Sequence, residues 1–190
     1  MNDDSFRAIG LDVRSPRQKV AALEEALDVI HGLWSTQRFS YSGDHFQTAA
    51  AELRPRPDHR IPIWLGAFGP RMLELTGRKA DGWLPTMHWL PPDAAVAGMR
   101  RVQAGAGNAG RDPANLTYGY NVAVAVEEGA KPARGLVAGT PTAVATQLAE
   151  LIGTGFNVLN FMPVGDPRRQ RERLANEVVP LIRELTGCAV

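Results

Sequence analysis

The sequence predicts an α/β protein built from four parallel βα units, and three observations lead there. Apolar runs of strand character at 61–65, 82–86, 116–126 and 156–164 alternate with segments of helical periodicity, giving the order α, β, α, β, α, β, α, β, α. Most of the helical segments start at a proline in the first turn, a position where the missing N–H costs nothing. The composition, 190 residues with 44% hydrophobic and 22% charged, is that of a globular domain with a sizeable core. Strands separated by helices lie parallel, because a parallel pair needs a crossover connection.

Taken in order, the first helix starts at Pro16, with Ser15 as its cap and Ser15-x-x-Gln18 as a capping box. Val20, Leu23, Leu27 and Ile30 then recur at helical spacing. A polar excursion over 35–60 follows, and Pro55 and Pro57 impose an extended path into the strand 61–65. The second helix covers 70–79 with Pro70 in its first turn, and 82–86 is the next strand. Pro91-Pro92-Asp93 opens a third helix, which the glycines between Gly105 and Pro113 end. Residues 116–126 are β-branched and alternate towards their end, which marks a strand. The segment 127–139 is expected as a loop. Thr140-Pro141 caps a helix that Gly153-Thr154-Gly155 stops, and 156–164 is the fourth strand. A last helix starts near Pro167, and Pro180 within it kinks or divides it. Residues 1–190 are read as one domain. Four strands are too few to close a (β/α)₈ barrel, which needs eight strands and typically about 250 residues.

Composition excludes several functions. Twenty-one basic and twenty acidic residues leave a net charge of +1, no footprint for nucleic acid or an anionic membrane. Arg168, Arg169, Arg171 and Arg173, with Glu172 among them, read as a solvated helix face. No apolar run approaches the roughly 18 residues that span a bilayer. The one cysteine, Cys188, allows no internal disulfide, and the chain is expected to be cytoplasmic. No two of the four histidines stand at metal-ligand spacing, so no metal site is expected.

The stretch 61–89, IPIWLGAFGPRMLELTGRKADGWLPTMHW, holds the candidate site. A strand runs into Gly66-Ala67-Phe68-Gly69-Pro70, a helix follows, and a second strand closes one βαβ unit. Backbone N–H groups at such a turn, beside a helix N-terminus, form an anion site; a plain tight turn is the alternative. Asp81-Gly82 reads as a turn ahead of a strand, with Asp81 ordering backbone amides. His88 follows a strand end beside Met87 and Trp89 and is a weak candidate for a substrate pocket. Trp64, Trp83 and Trp89 read as packing residues, and Asn160, inside the apolar last strand, as a hydrogen-bonded structural residue.

The wording of this stretch resembles the luciferase-like flavin- or F420-dependent oxidoreductases, a TIM-barrel family whose corresponding turn holds the cofactor phosphate. The likeness continues in VAALEEALDVIHGLW, SYSGDHFQTAAAELRPRP, GTPTAVATQLAELIGTGFNVLNFMPVGDP and NEVVPLIREL, in family order from about residue 6 onward. The resemblance implies that the chain corresponds to the second half of a (β/α)₈ barrel, incomplete as a single chain. It implies FMN or coenzyme F420 as cofactor, with Gly66, Ala67, Phe68, Gly69 and Thr86 around the phosphate. Phe68 stands where many relatives have glycine and either crowds the turn or covers the flavin side chain. No position matches the family's catalytic residues, so no catalytic residue is assigned. The expected activity is that of an oxidoreductase or monooxygenase on a small-molecule substrate. The expected partner is a second copy in a homodimer or a separate N-terminal half. An inactive fragment or partner-dependent phosphate-binding subunit is the other reading.

Overall fold

In the computed structural model, which describes residues 3–10 and 13–187, the chain divides into two compact units, Met1–Ile61 and Pro62–Val190. The expectation of one domain over 1–190 thus meets two units. Cys188 lies outside the described residues.

The first unit contains helix α1 (Asp3–Ala8), helix α2 (Pro16–Ser35) and a hairpin of strands β1 (Phe39–Ser42) and β2 (Gln47–Ala51). The capping box forms as the sequence predicts: Gln18 N–H donates to Ser15 Oγ at 3.3 Å, and Ser15 N–H donates to Gln18 Oε1 at 2.9 Å. The hairpin lies inside the polar excursion and is antiparallel, with an irregular register between Phe39 and Tyr41. Gly32 admits the Phe39 ring, since a Cβ there would lie 2.1 Å from it. Glu25 fastens the hairpin tip to α2 by accepting from the amides of Asp44, His45 and Phe46 at 3.1, 2.9 and 3.0 Å.

Desolvation pushes the Glu25 carboxyl up, but these three donors outweigh it and hold the group below its ordinary value of 4.5. A folded-state pKa below the unfolded one favours folding above the unfolded value, and the gain is lost as pH falls through the folded pKa. Amide exchange at Asp44–Phe46 is therefore expected to accelerate as pH drops below about 4.5, beyond the intrinsic change. Glu25→Gln should abolish that step and leave the tip poorly protected at neutral pH as well.

The second unit comprises strand β3 (Trp64–Leu65), helix α3 (Pro70–Lys79), strand β4 (Gly82–Trp83), helix α4 (Pro92–Asn108), strand β5 (Thr117–Val126) and strand β6 (Leu136–Gly139). Helix α5 (Pro141–Gly153), strand β7 (Val158–Pro163), helix α6 (Pro167–Arg173) and helix α7 (Val179–Thr186) complete it. Its sheet has five strands, all paired in parallel. The α/β class and parallel pairing agree with the sequence reading, whereas the expected count of four strands does not. The additional strand, β6, lies at the end of the segment 127–139 read as a loop. Gly135 turns the chain into it at φ +76°, and Leu136 to Gly139 then pair with Ala123 to Val126.

β3 and β4 are shorter than the apolar runs containing them, because only Trp64 with Gly82 and Leu65 with Trp83 pair in regular register. β4 and β6 occupy the same margin of β5. The amide of Asn121 donates to Pro85 and that of Glu127 to Gly139, while the carbonyls of Tyr118 and Val124 serve the β7 side. In a strand, alternate residues address alternate margins, so β5 is flanked along its whole length.

One face of the sheet carries the core: Trp83, Tyr118, Tyr120, Val122, Val124 and Val126 pack against α3, α4 and α5. Phe156 stacks on Tyr120 (ring centroids 4.4 Å, interplanar angle 5°) and lies 6.3 Å from Trp83. On the opposite face Trp64, Asn160, Met162 and Val164 are exposed, Val164 to 45%.

α4 continues past Gly105 to Asn108 because that glycine is a packing residue and not a helix end. A Cβ on it would lie 2.6 Å from Glu74 O, and one on Gly77 would lie 2.0 Å from Val102 O, so α3 and α4 meet backbone to backbone. Ahead of Pro180 the last helix widens into a π turn, Leu174–Val178, where Val179 N–H reaches Leu174 O five residues back. The proline divides the helix as expected, and the π turn absorbs its missing N–H. Arg173 departs from the solvated reading. It is partly buried, donates to Val126 O at 2.6 Å, and pairs with Glu177 at 3.0 Å. Beside it, buried Gln170 accepts from Val126 N–H at 2.8 Å.

Candidate functional site

The turn after β3 is built by three constraints. Gly69 adopts φ +83° and ψ 150°, a conformation open to glycine and strained for any L side chain. Pro70 then starts α3, which has no side-chain cap. Pro70 lacks an N–H and Leu73 N–H is the first to bond back, to Gly69 O at 3.1 Å, so the amides of Arg71 and Met72 point out of the helix end. Finally, Ala67 is buried and its carbonyl accepts the indole N–H of fully buried Trp83 at 3.0 Å. The turn therefore hangs on a core side chain from the next strand.

Space exists in front of it. A Cβ on Gly69 meets nothing within 4 Å, and one on Gly66 would touch only Leu84 O, at 3.3 Å. Phe68, next to Gly69 in the chain, is 43% exposed. Uncapped amides, the positive end of a helix dipole and small residues together suit an anionic oxygen ligand.

Asp81 orders this unit as its sequence position implies. Its Oδ2 accepts from Ile63 N–H at 2.9 Å, fixing the start of β3 against β4. Arg111 donates to Gly77 O at 2.7 Å at the other end of α3, with its guanidinium 4.0 Å from Asp81.

Thr86 leaves the end of β4 two residues beyond Leu84, on the exposed sheet face. It belongs to a row that sequence reasoning recognised only in part. Asn160 Nδ2 donates to Asn121 Oδ1 at 2.7 Å, and Asn121 Nδ2 donates to Thr86 Oγ1 at 3.2 Å. β5, β7 and the segment that follows β4 each contribute one polar side chain at one level: Thr86 bridges to Asn121, which registers with Asn160. Asn160 is hydrogen-bonded as expected. Asn121 went unnoticed, although a lone amide within TYGYNVAVAV is the same kind of signal.

His88 is exposed, and its ring meets Trp89 edge-on at 4.8 Å. Gly135 lies against its backbone, where a Cβ would fall 2.5 Å from His88 Cα. Trp83 is the packing residue expected, but Trp89 is 69% exposed and Trp64 lies partly open across Gly82. Tyr120 is buried and donates its hydroxyl hydrogen to Leu90 O, and burial pushes its phenol well above the usual range. That bond ties the 86–90 turn to β5. Among the described residues no cluster of His, Cys, Asp and Glu could hold a metal ion, and no helix is long and apolar enough to cross a membrane.

The sequence pattern that describes luciferase-like monooxygenases matches residues 2–149. The chain belongs to that family. The candidate turn, Thr86 and Asn121 all fall within the matched stretch, and β7 lies beyond it. This luciferase-like chain is similar to the F420-dependent glucose-6-phosphate dehydrogenase of Nakamurella multipartita, with 36% identity over 85 residues. That alignment covers 44% of this chain and 25% of the dehydrogenase, so it spans about a quarter of the relative's length.

Two solved structures share the fold. An F420-dependent secondary alcohol dehydrogenase in complex with an F420–acetone adduct superposes with a TM-score of 0.79 at 16% identity, over 90% of this chain and 64% of its own. A riboflavin lyase with modified FMN and riboflavin superposes with a TM-score of 0.80 at 13% identity, over 97% of this chain and 62% of its own. The fold of these two structures thus covers nearly the whole of this chain.

Proposed function

We propose that this chain is the phosphate-holding half of a flavin- or F420-dependent oxidoreductase or monooxygenase of the luciferase-like family. The observation that carries the reading is the turn itself: Gly69 at φ +83°, the uncapped start of α3, and the Ala67 carbonyl tethered to Trp83. Gly66, Ala67, Phe68 and Gly69 cradle the phosphate with backbone groups, and Thr86 adds a hydroxyl. Bound FMN or F420 supplies the redox chemistry, while the protein supplies position and charge. His88, exposed at the strand end, contributes to the pocket for a small organic substrate.

The four βα units beginning at β3, β4, β5 and β7 correspond on this reading to the second half of a (β/α)₈ barrel. The exposed sheet face with Trp64, Asn160, Met162 and Val164 supports it, since that face is the interior of a closed barrel. A second copy of the chain, or a separate N-terminal half, covers that face and completes the site in the cytoplasm. A chain that holds the phosphate without ring-binding or proton-transfer groups, an inactive or partner-dependent subunit, is the competing reading.

Parallel spectroscopic titrations of the purified chain with FMN and with F420 test the proposal. Saturable binding of one cofactor is expected. Gly69→Asp should weaken it at least about tenfold, because the substitution strains the backbone and sets a carboxylate beside the phosphate. Binding that Gly69→Asp leaves unchanged rejects the turn as the phosphate site. Absence of binding to either cofactor favours the partner-dependent reading.

A further inference from the structure

Most of the polar groups in the second unit belong to helix ends, strand ladders or surface ion pairs. The row across the exposed sheet face does not. Thr86, just past β4, and Asn121 and Asn160, on β5 and β7, stand on a face otherwise carrying Trp64, Leu84, Met162 and Val164, and their side chains bond to one another. The residues flanking Asn121, Tyr120 and Val122, are fully buried on the other side of the sheet, so the asparagine belongs to the open face by strand alternation. An amide pair placed there stabilises the sheet little, because water is available to both partners.

The row has a direction. Asn160 donates to Asn121, and Asn121 donates to Thr86. An Asn amide has one acceptor and two donor hydrogens, and a threonine hydroxyl one donor hydrogen and two acceptor sites. Asn121 spends its oxygen on Asn160 and a hydrogen on Thr86. The Thr86 oxygen is thereby used as an acceptor, and its own hydrogen is turned away from Asn121. What the row offers at its end is a single oriented O–H donor. That donor emerges two residues past Leu84, whose carbonyl borders Gly66 of the turn.

Resting on the phosphate-turn reading, we infer that Asn121 and Asn160 are positioning residues that hold the Thr86 hydroxyl as a hydrogen-bond donor to an anionic phosphate oxygen at the Gly66–Gly69 turn. A hydroxyl otherwise free to rotate must be fixed when the anion binds. Here the two amides fix it beforehand, which strengthens the bond without adding a contact. Asn160 acts through Asn121, and Asn121 through Thr86; neither touches the ligand.

Titration of the ¹⁵N-labelled full chain with inorganic phosphate at constant ionic strength tests this, with affinity read from the backbone amide shifts of Gly69, Arg71 and Met72. Thr86→Val is expected to weaken phosphate about tenfold, the loss of one charge-assisted bond, and Thr86→Ser to restore it. Asn121→Ala is expected to weaken it about threefold to fivefold, and to cause no further loss in the Thr86→Val background. Asn160→Ala, at an exposed position, gives a second variant that leaves the fold intact and should weaken phosphate about twofold.

Unchanged affinity in Asn121→Ala, or the same loss with and without the Thr86 hydroxyl, overturns the positioning role while leaving the phosphate turn standing. If phosphate fails to move the turn amides of the wild-type chain, the turn reading fails and this inference fails with it.

Discussion

Gly77→Ala is expected to be the most damaging single-methyl change in the second unit, lowering stability by about 3 kcal/mol. In an exposed helix the same substitution stabilises by up to about 1 kcal/mol, because alanine is the better helix former. The sign reverses here because the added Cβ would sit 2.0 Å from Val102 O and 2.6 Å from Ala106 N. Both are backbone atoms of α4, which cannot rotate away as a side chain can. Gly105→Ala should behave alike, its Cβ meeting Glu74 O at 2.6 Å. Gly107, on the same helix with nothing within 4 Å, is the control, and Gly107→Ala is expected to be neutral or mildly stabilising. Thermal unfolding checks the set: a fall of roughly 10 °C for Gly77→Ala against no fall for Gly107→Ala. Equal melting temperatures for the two would show that α3 and α4 are not held in backbone contact.

The second large effect is expected from Trp83→Phe. This residue is fully buried, and Gly98 leaves room for its ring, since a Cβ there would approach it to 2.8 Å. Removing the indole N–H leaves the carbonyl of buried Ala67 without its donor, and the smaller ring leaves a void. Together these should cost about 2–4 kcal/mol. The same change also releases the turn, so affinity for a phosphate-bearing ligand should fall beyond what destabilisation alone produces. Phe156→Leu, which disturbs the same aromatic stack without touching Ala67, separates the two effects. If both variants weaken the ligand equally, the indole tether has no role in binding.

Much of this was legible in the residues. Ser15 with Gln18, and Thr140 with Pro141, marked helix starts to the residue, because capping is a local interaction that needs no tertiary context. Pro70 to Lys79 emerged with the expected bounds, and Pro180 announced the break that the π turn accommodates. Long-range packing decided what was missed. Gly105 looked like a helix stop because nothing nearby in sequence reveals Glu74 lying against it. β6 is four residues long and enters from a glycine-rich stretch, so only its pairing with β5 makes it a strand.

The hairpin 39–51 depends likewise on Glu25, about twenty residues away, gathering its tip. At the candidate site, the turn could be read from one βαβ unit, and Thr86 was singled out by the family resemblance alone. Asn121 could not, since its meaning depends on which side chains two neighbouring strands bring to its level. Trp89 was misjudged because a large aromatic ordinarily finds cover, and the one at this strand end does not.

The flanking of β5 on both margins has a further consequence, for the order in which amides exchange with solvent. β5 is held by β7 along one side and by β4 and then β6 along the other, so its protons should exchange only when the whole unit opens. β3 and β4 share two residue pairs, and such a short ladder opens at far lower cost. The turn that follows β3 is therefore suspended from the least protected part of the sheet. Its geometry is maintained by side-chain and helix contacts, Trp83 on Ala67 and α3 on α4, in place of strand pairing. Local opening of β3 would let the turn change shape while the rest of the sheet stays closed.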